Sequence, residues 1–160
     1  MNKAAGAVLI LAAAVISLAF YLQKRRLGIE LLLELSRDMD HIAAAIRWKK
    51  QPIPEILDAF SAQPYSGEYY KRILDMMQSN IPLHTAWNLV FSQVQPKSVA
   101  SVMCGISLSG DETAVLGSLG CASESLREIY LSQKAVQREK TKICIASVLS
   151  AAGMLIILLI

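Results

Sequence analysis

The sequence predicts an all-α protein: a small cytoplasmic helical bundle on an N-terminal transmembrane helix, with a long last helix running into an apolar C-terminal membrane segment. Residues 4–22 and 143–160 contain no charged side chain, and each run is close to the roughly 20 residues with which a helix crosses a bilayer. Between the runs, apolar residues recur every three or four positions, and no stretch alternates like a half-buried strand. We therefore divide the chain into an N-terminal transmembrane anchor (1–23), a cytoplasmic helical bundle (24–142) and a C-terminal transmembrane or membrane-embedded segment (143–160).

The first apolar run is interpreted as a retained anchor, and a cleaved signal peptide is the alternative. The run is longer than the usual apolar region of a signal peptide, and no A-x-A-like cleavage site precedes the basic residues that follow it. For the second run, residues 143–160, a slanted or partly embedded tail is the alternative to full spanning.

Basic residues beside the two runs predict the orientation. The first run is followed by Lys24, Arg25 and Arg26, and the second is preceded by Lys134, Arg138, Lys140 and Lys142. Because basic residues near membrane segments remain on the cytoplasmic side, the middle of the chain is expected in the cytoplasm. The net charge of +3 is concentrated here, so it indicates contact with membrane lipids and not with nucleic acid.

The first helix of the bundle is predicted over residues 27–50. Its apolar positions lie on one face: Leu27, Leu31, Leu35, Met39, Ile42 and Ile46. Glu34 and Arg37 have ion-pair spacing on another face. Pro52 is expected to end this helix, because proline disfavours helical geometry in the residue before it.

Five further helices are predicted, the last of which runs through the basic stretch. Pro54 suits the first turn of a short helix over 54–62, and Pro82 again fits a helix start. The remaining predicted segments are 68–78 with Tyr70, Leu74 and Met77 on one side, 83–94 and 98–108. Asp111 is the expected N-cap of a last helix that continues through residue 142 into the second apolar run.

The residues that usually carry catalysis form no recognisable site. His41 and His84 have no partner at metal-ligand spacing and are interpreted as surface residues. Asp38 and Asp40 lie on different helical faces, and the sequence has no glycine-rich phosphate loop. We therefore predict that the protein is not an enzyme and that it binds no cofactor or metal.

The three cysteines form no C-x-x-C pair. Cys104, Cys121 and Cys144 are interpreted as reduced structural thiols, which suits a cytoplasmic domain. Cys144, at the membrane edge, is an alternative site of acylation.

The two tryptophans are candidates for contacts. Trp87 lies in an apolar stripe and is expected in the core, whereas Trp48 either packs under the turn or is presented to a partner. Similarly, the apolar face of the first helix is either used inside the bundle or packs on neighbouring copies of the chain.

The sequence resembles the stage III sporulation protein AB family of endospore-forming bacteria along nearly its whole length. The family's isoleucine, aromatic and proline pattern is similar to Ile46, Trp48 and Pro52 followed by Ile53. In the family one helix starts with a small residue followed by tryptophan, and residues 85–87 resemble that start. The family also has a glycine-containing segment before the last helix, which residues 104–111 resemble. The chain departs from that pattern at Cys104, Ser109 and Val115, where Phe, Gly and Gln are usual.

The resemblance implies a non-enzymatic platform subunit of the channel complex between mother cell and forespore, similar to the inner-membrane platforms of type II secretion and type IV pilus machines. Its partners would be the other stage III sporulation A proteins, including the cytoplasmic ATPase, and a second copy of the chain is a further candidate. It would lie in the mother cell's outer forespore membrane and face the mother-cell cytoplasm. The positions that carry the pattern or could contact a partner are Ile46, Trp48, Pro52, Trp87, Gly105, Gly110 and Asp111.

Two alternatives to this function are kept. One is a platform-like component of another pilus or secretion machine, although such platforms usually have duplicated helical domains and three spans. The other is a membrane-anchored enzyme that uses His41, His84, Asp111 or Glu112.

Overall fold

The computed structural model describes the backbone of residues 2–159, with side chains described continuously from 26 to 137 and at scattered positions on either side. These residues form helices joined by turns and include no β-strand. The all-α prediction is therefore confirmed. In chain order the helices are α1 (Asn2–Ala44), a π-helical turn (Ala45–Lys49, hereafter the π-turn), α2 (Ile53–Phe60), α3 (Gly67–Gln78), α4 (Leu83–Phe91), α5 (Lys97–Cys104) and α6 (Glu112–Leu159).

The chain divides into two compact units. The bundle unit is Gly28–Leu131, and the terminal unit is Met1–Leu27 together with Ser132–Ile160. Both uncharged runs, 4–22 and 143–160, belong to the terminal unit, and most of their side chains, including that of Cys144, lie outside the described residues. Within the part of the chain that is described, no helix combines the length and the apolarity needed to cross a membrane. The two membrane segments stay a prediction from the sequence.

The bundle unit has one apolar core to which all six of its helices contribute. In sequence order α2 packs on α3, α3 on α4 and α4 on α5. The fully buried large side chains are Leu32, Leu35, Met39, Ile42, Leu57, Tyr70, Ile73, Trp87, Phe91, Met103, Leu119 and Leu126. Burying a side chain of this size contributes about 1.5–3 kcal/mol, so this cluster is the main source of the unit's stability.

The face of α1 that enters the core is the predicted one except at its start, where Leu27 is exposed and Leu32 is buried. Leu35, Met39 and Ile42 are fully buried as expected, but Leu27 is 49% exposed and belongs to the terminal unit. Its place in the stripe is taken by Leu32, which is 2% exposed. Leu32, Leu35, Met39 and Ile42 follow the three–four spacing of a packed helix face, and Leu31 and Ile46 are half-buried against the same core, as predicted.

A reciprocal pair of hydrogen bonds joins α1 to α6 inside the bundle unit. Ser36 Oγ donates to the carbonyl of Ser123 at 3.2 Å, and Ser123 Oγ donates to the carbonyl of Ser36 at 3.1 Å. Both side chains are 5% exposed. Because each buried hydroxyl has a partner, the contact avoids the cost of an unsatisfied polar group while holding the two helices in close approach.

Prolines and one glycine determine where the short helices begin. Pro52, Pro82 and Pro96 are the N-cap residues of α2, α4 and α5, and the Gln95–Pro96 peptide is cis. Pro54 lies in the first turn of α2 as predicted, although the helix starts one residue earlier. Helix α3 starts at Gly67 and not at residue 68. Glycine is required there because a Cβ at Gly67 would lie 2.6 Å from the carbonyl oxygen of Ser61.

Candidate functional site

The end of α1 is a wider helical turn that closes in a left-handed residue. The π-turn ends at Lys49, and Lys50 has φ 50° and ψ 34° with its N–H donated to the carbonyl of Ala45. Pro52 follows, with no N–H to continue a helical ladder. The helix thus ends before Pro52, as predicted. Turns of the π type occur often at functional sites, so the side chains here are the first candidates for a binding surface.

Trp48 is presented to solvent by this turn. Its side chain is 79% exposed, whereas Ile46 is half-buried and packs against the core. Arg47 and Lys49, on either side of Trp48, are exposed. Of the two alternatives for Trp48, the structure therefore favours presentation to a partner over packing under the turn.

An ion pair connects the π-turn region to the start of α6. Lys50 Nζ lies 2.5 Å from Glu112 Oε1 and 2.7 Å from Glu112 Oε2. Asp111 precedes the helix, and its carbonyl accepts the N–H of Val115 at 3.1 Å, which places Asp111 at the predicted N-cap position. The segments around Trp48 and around Asp111 are therefore brought together by a contact that the sequence did not indicate.

A second polar cluster is buried between α1 and the loop before α3. Glu34 Oε1 accepts the backbone N–H of Tyr65 at 2.9 Å and that of Ser66 at 2.6 Å. Asp38 accepts Gln63 Nε2 at 2.9 Å and Tyr70 Oη at 2.9 Å. Glu34 thus binds the loop, and not Arg37 as the spacing predicted. A carboxylate beside a helix N-terminus is favoured by the free N–H groups and the helix dipole there.

Ser66 lies at the centre of this cluster. Its Oγ is 2.9 Å from Glu34 Oε1, 2.8 Å from Asp38 Oδ2 and 2.6 Å from Gln63 Oε1. A hydroxyl has one proton to donate, so it satisfies one of these three acceptors at a time. Burial, with the nearby charge of Glu34, raises the pKa of Asp38.

Tyr70 completes the cluster as a donor. Its side chain is fully buried, and burial together with Asp38 raises the pKa of the Tyr70 phenol well above its ordinary value. Tyr70 therefore keeps its proton at neutral pH and donates it to Asp38. The hydrogen bonds of the cluster all join residues of the bundle unit, which is the arrangement of a structural lock and not of a site open to substrate.

In the described part of the chain, the side chains that could take part in catalysis do not come together into a catalytic centre. His41 and His84 are exposed, and within residues whose side chains are described no group of three His, Cys, Asp or Glu could hold a metal ion. Cys121 is exposed, while burial raises the pKa of the half-buried Cys104 thiol. A thiol with a raised pKa is protonated at neutral pH and is a poor nucleophile.

An open groove of about 470 Å³ lies between α5 and α6. Small side chains form most of its walls, among them Ser101, Gly105, Ser118 and Cys121. It offers neither a buried charge nor a convergent set of polar groups, which small-molecule sites usually have.

The remaining sequence-predicted positions have separate roles. Trp87 is 1% exposed and donates its Nε1–H to the carbonyl of Met103 at 2.8 Å, which agrees with its expected core position. Gly105 ends α5 as its C-cap. Gly110 has φ +125°, a conformation that side chains other than glycine rarely adopt, in the turn before α6.

Comparison with known proteins adds no relative. No protein-family model, no curated protein and no solved structure matches this chain.

Proposed function

We propose that this chain is a non-enzymatic membrane platform subunit of the mother cell–forespore channel complex, in which the bundle unit binds other subunits from the cytoplasmic side. The observation that carries the proposal is that the two uncharged runs, 4–22 and 143–160, belong to one compact unit, while a separate helical bundle lies between them in sequence. An N-terminal membrane span, a helical domain and a last helix that ends in a very apolar tail are the organisation that the family resemblance implies.

The composition of the bundle surface supports a role in binding. Trp48 is 79% exposed, and tryptophan is enriched among the residues that dominate protein–protein binding energy. The carboxylates that could support acid–base chemistry are used inside the bundle, because Glu34 and Asp38 bind the loop before α3. The proposed partners are the other stage III sporulation A proteins, including the cytoplasmic ATPase, with membrane lipids around both anchors.

Co-purification tests the proposed partners. The tagged full-length chain, solubilised in mild detergent from sporulating cells of its host, is expected to bring down the ATPase and the membrane subunits of the channel. An unrelated tagged membrane protein of similar abundance is the control. Persistent absence of these partners from an otherwise intact preparation would contradict the proposal.

Cysteine accessibility tests the proposed location. In a background in which the three native cysteines are replaced by serine, Ala62→Cys introduces a thiol at an exposed position of the loop after α2. The protein is expected in the membrane fraction after carbonate extraction, and a membrane-impermeant maleimide should label the new thiol only in permeabilised cells. Labelling from outside intact cells would overturn the orientation and with it the cytoplasmic partnership.

A further inference from the structure

The π-turn holds an apolar ring between two positive charges. The Trp48 side chain is 79% exposed, and Arg47 and Lys49 are its exposed neighbours. Arg47 and Lys49 directly precede and follow Trp48 on the same turn. A segment that covers the indole therefore lies close to both cations.

These two cations are not neutralised by the bundle itself. In the described residues, neither Arg47 nor Lys49 has a carboxylate within ion-pair distance, whereas the next residue, Lys50, is bound to Glu112. The surface therefore carries a local positive excess centred on Trp48, and this excess is complementary to a negative partner.

The surface is also held in place before any partner arrives. Ile46 packs against the core beneath the turn, the Lys50 N–H closes the turn on Ala45, and the Lys50–Glu112 pair joins it to α6. A rigid anchor loses little conformational entropy on binding, which favours affinity.

We propose that the turn formed by Arg47, Trp48 and Lys49 is a docking site for an acidic protein segment that carries one apolar side chain between carboxylates. The apolar side chain covers the indole, and the carboxylates pair with the two flanking cations. This inference rests on the proposed platform function and specifies the chemistry of the partner.

A protein segment fits this surface better than a lipid surface does. A membrane-binding helix presents a continuous apolar face, whereas here a single ring is exposed between charges. A short segment with one apolar residue between carboxylates needs only that ring and the two cations.

Fluorescence quenching tests the site with a defined probe. The full-length chain is reconstituted in nanodiscs of neutral phosphatidylcholine, and acrylamide quenching reports on Trp48 because Trp87 is buried. The probe is the peptide Glu-Asp-Glu-Leu-Glu-Asp-Glu, compared with a peptide of equal length in which Gln and Asn replace the acidic residues. The acidic peptide is expected to shield Trp48 in a saturable manner, and about 0.5 M salt should abolish the effect because it screens exposed charges.

The matched variants separate the site from general charge. Arg47→Glu/Lys49→Glu should weaken peptide binding by about tenfold or more, because like charges then face the peptide. Lys71→Glu/Lys97→Glu, at exposed positions of α3 and α5, should leave binding unchanged, and circular dichroism checks that both variants are folded.

Three results would overturn the proposal. The first is that the acidic peptide does not shield Trp48, and the second is that the neutral peptide shields it equally well. The third is equal shielding of Trp48 by added phosphatidylserine-containing vesicles, which would assign the turn to lipid. Each would leave the platform function standing, because co-purification with the channel subunits tests that function independently.

Discussion

The two tryptophans of this chain lie in opposite environments. Trp87 is 1% exposed and its ring centroid lies 4.6 Å from that of Phe91, so the apolar surface of this side chain is already buried in the core. Trp48 is 79% exposed between two basic residues, so its area is available to another molecule. The difference shows that the bundle does not depend on Trp48 for its stability, which leaves that side chain free for binding. The following predictions contrast the core with the surface in this way.

The largest expected effect is the loss of the core tryptophan. Trp87→Ala should lower the free energy of unfolding by about 3–5 kcal/mol, because it leaves a large cavity. Trp48→Ala should change it by no more than about 0.5 kcal/mol. Denaturant unfolding of the detergent-solubilised full chain, followed by circular dichroism, measures both. A comparable loss in the two variants would remove the distinction between them.

Two glycines extend the contrast to the backbone. Gly67→Ala should cost about 1–3 kcal/mol, because the new Cβ would lie 2.6 Å from the Ser61 carbonyl oxygen. Gly117→Ala is the matched control, since a Cβ there meets nothing within 4 Å. In the exposed helix interior the control should stabilise the protein by about 0.5–1 kcal/mol. Thermal unfolding distinguishes the opposite signs, and a stabilised Gly67→Ala variant would contradict the close approach.

The buried carboxyl of Asp38 should make stability depend on pH. Its pKa in the folded protein is raised above the ordinary 3.8, so between these values the folded state holds a proton that the unfolded state has released. The free energy of unfolding therefore falls as pH rises through that window, by at most about 1.4 kcal/mol per pH unit for one proton.

Asp38→Asn removes this titration. The stability difference between wild type and Asp38→Asn should shrink, or turn against wild type, as pH rises from 3.8 toward the raised pKa, and should then level off. Denaturant titrations at a series of pH values measure it, with the exposed Asp40→Asn as control. A difference that grows with pH would show that Asp38 is stabilised as the charged form.

The smallest effect is expected for the surface ion pair. Lys50 and Glu112 are 66% and 44% exposed, so a double-mutant cycle of Lys50→Ala and Glu112→Ala should give a coupling of about 0.2–1 kcal/mol. The coupling should decrease as salt is added. A coupling that is large and insensitive to salt would indicate that the pair holds the π-turn more firmly than an exposed contact can.

Much of the fold is readable from local pattern. The prolines at 52, 82 and 96 stand at the starts of helices, because the constraint on φ and the missing N–H act within one residue of each proline. The buried positions Leu35, Met39 and Ile42 follow from helical period alone. The point at which the buried face of α1 begins, with Leu32 buried and Leu27 exposed, depends on which neighbouring helices contact it, and that information is not local.

The candidate site was predictable only in part. Trp48 and Pro52 were identified from the sequence, and the exposure of Trp48 decided between its two alternatives. The Lys50–Glu112 pair and the cluster of Glu34, Asp38 and Ser66 were missed, because their members are separated by 62 residues or by 28 to 32 residues. Asp38 had been assigned only a helical face, and no sequence spacing signals a carboxylate that is buried by a distant loop.

The sequence by itself determined that the chain is helical and that two uncharged runs bracket an amphipathic middle, since helical period, proline and the absence of charge are properties of neighbouring residues. The tertiary structure decided which tryptophan is core and which is surface. It also decided which carboxylates are buried and where the end of α1 meets the start of α6. These depend on contacts between residues distant in sequence, and such contacts form only when the helices pack together.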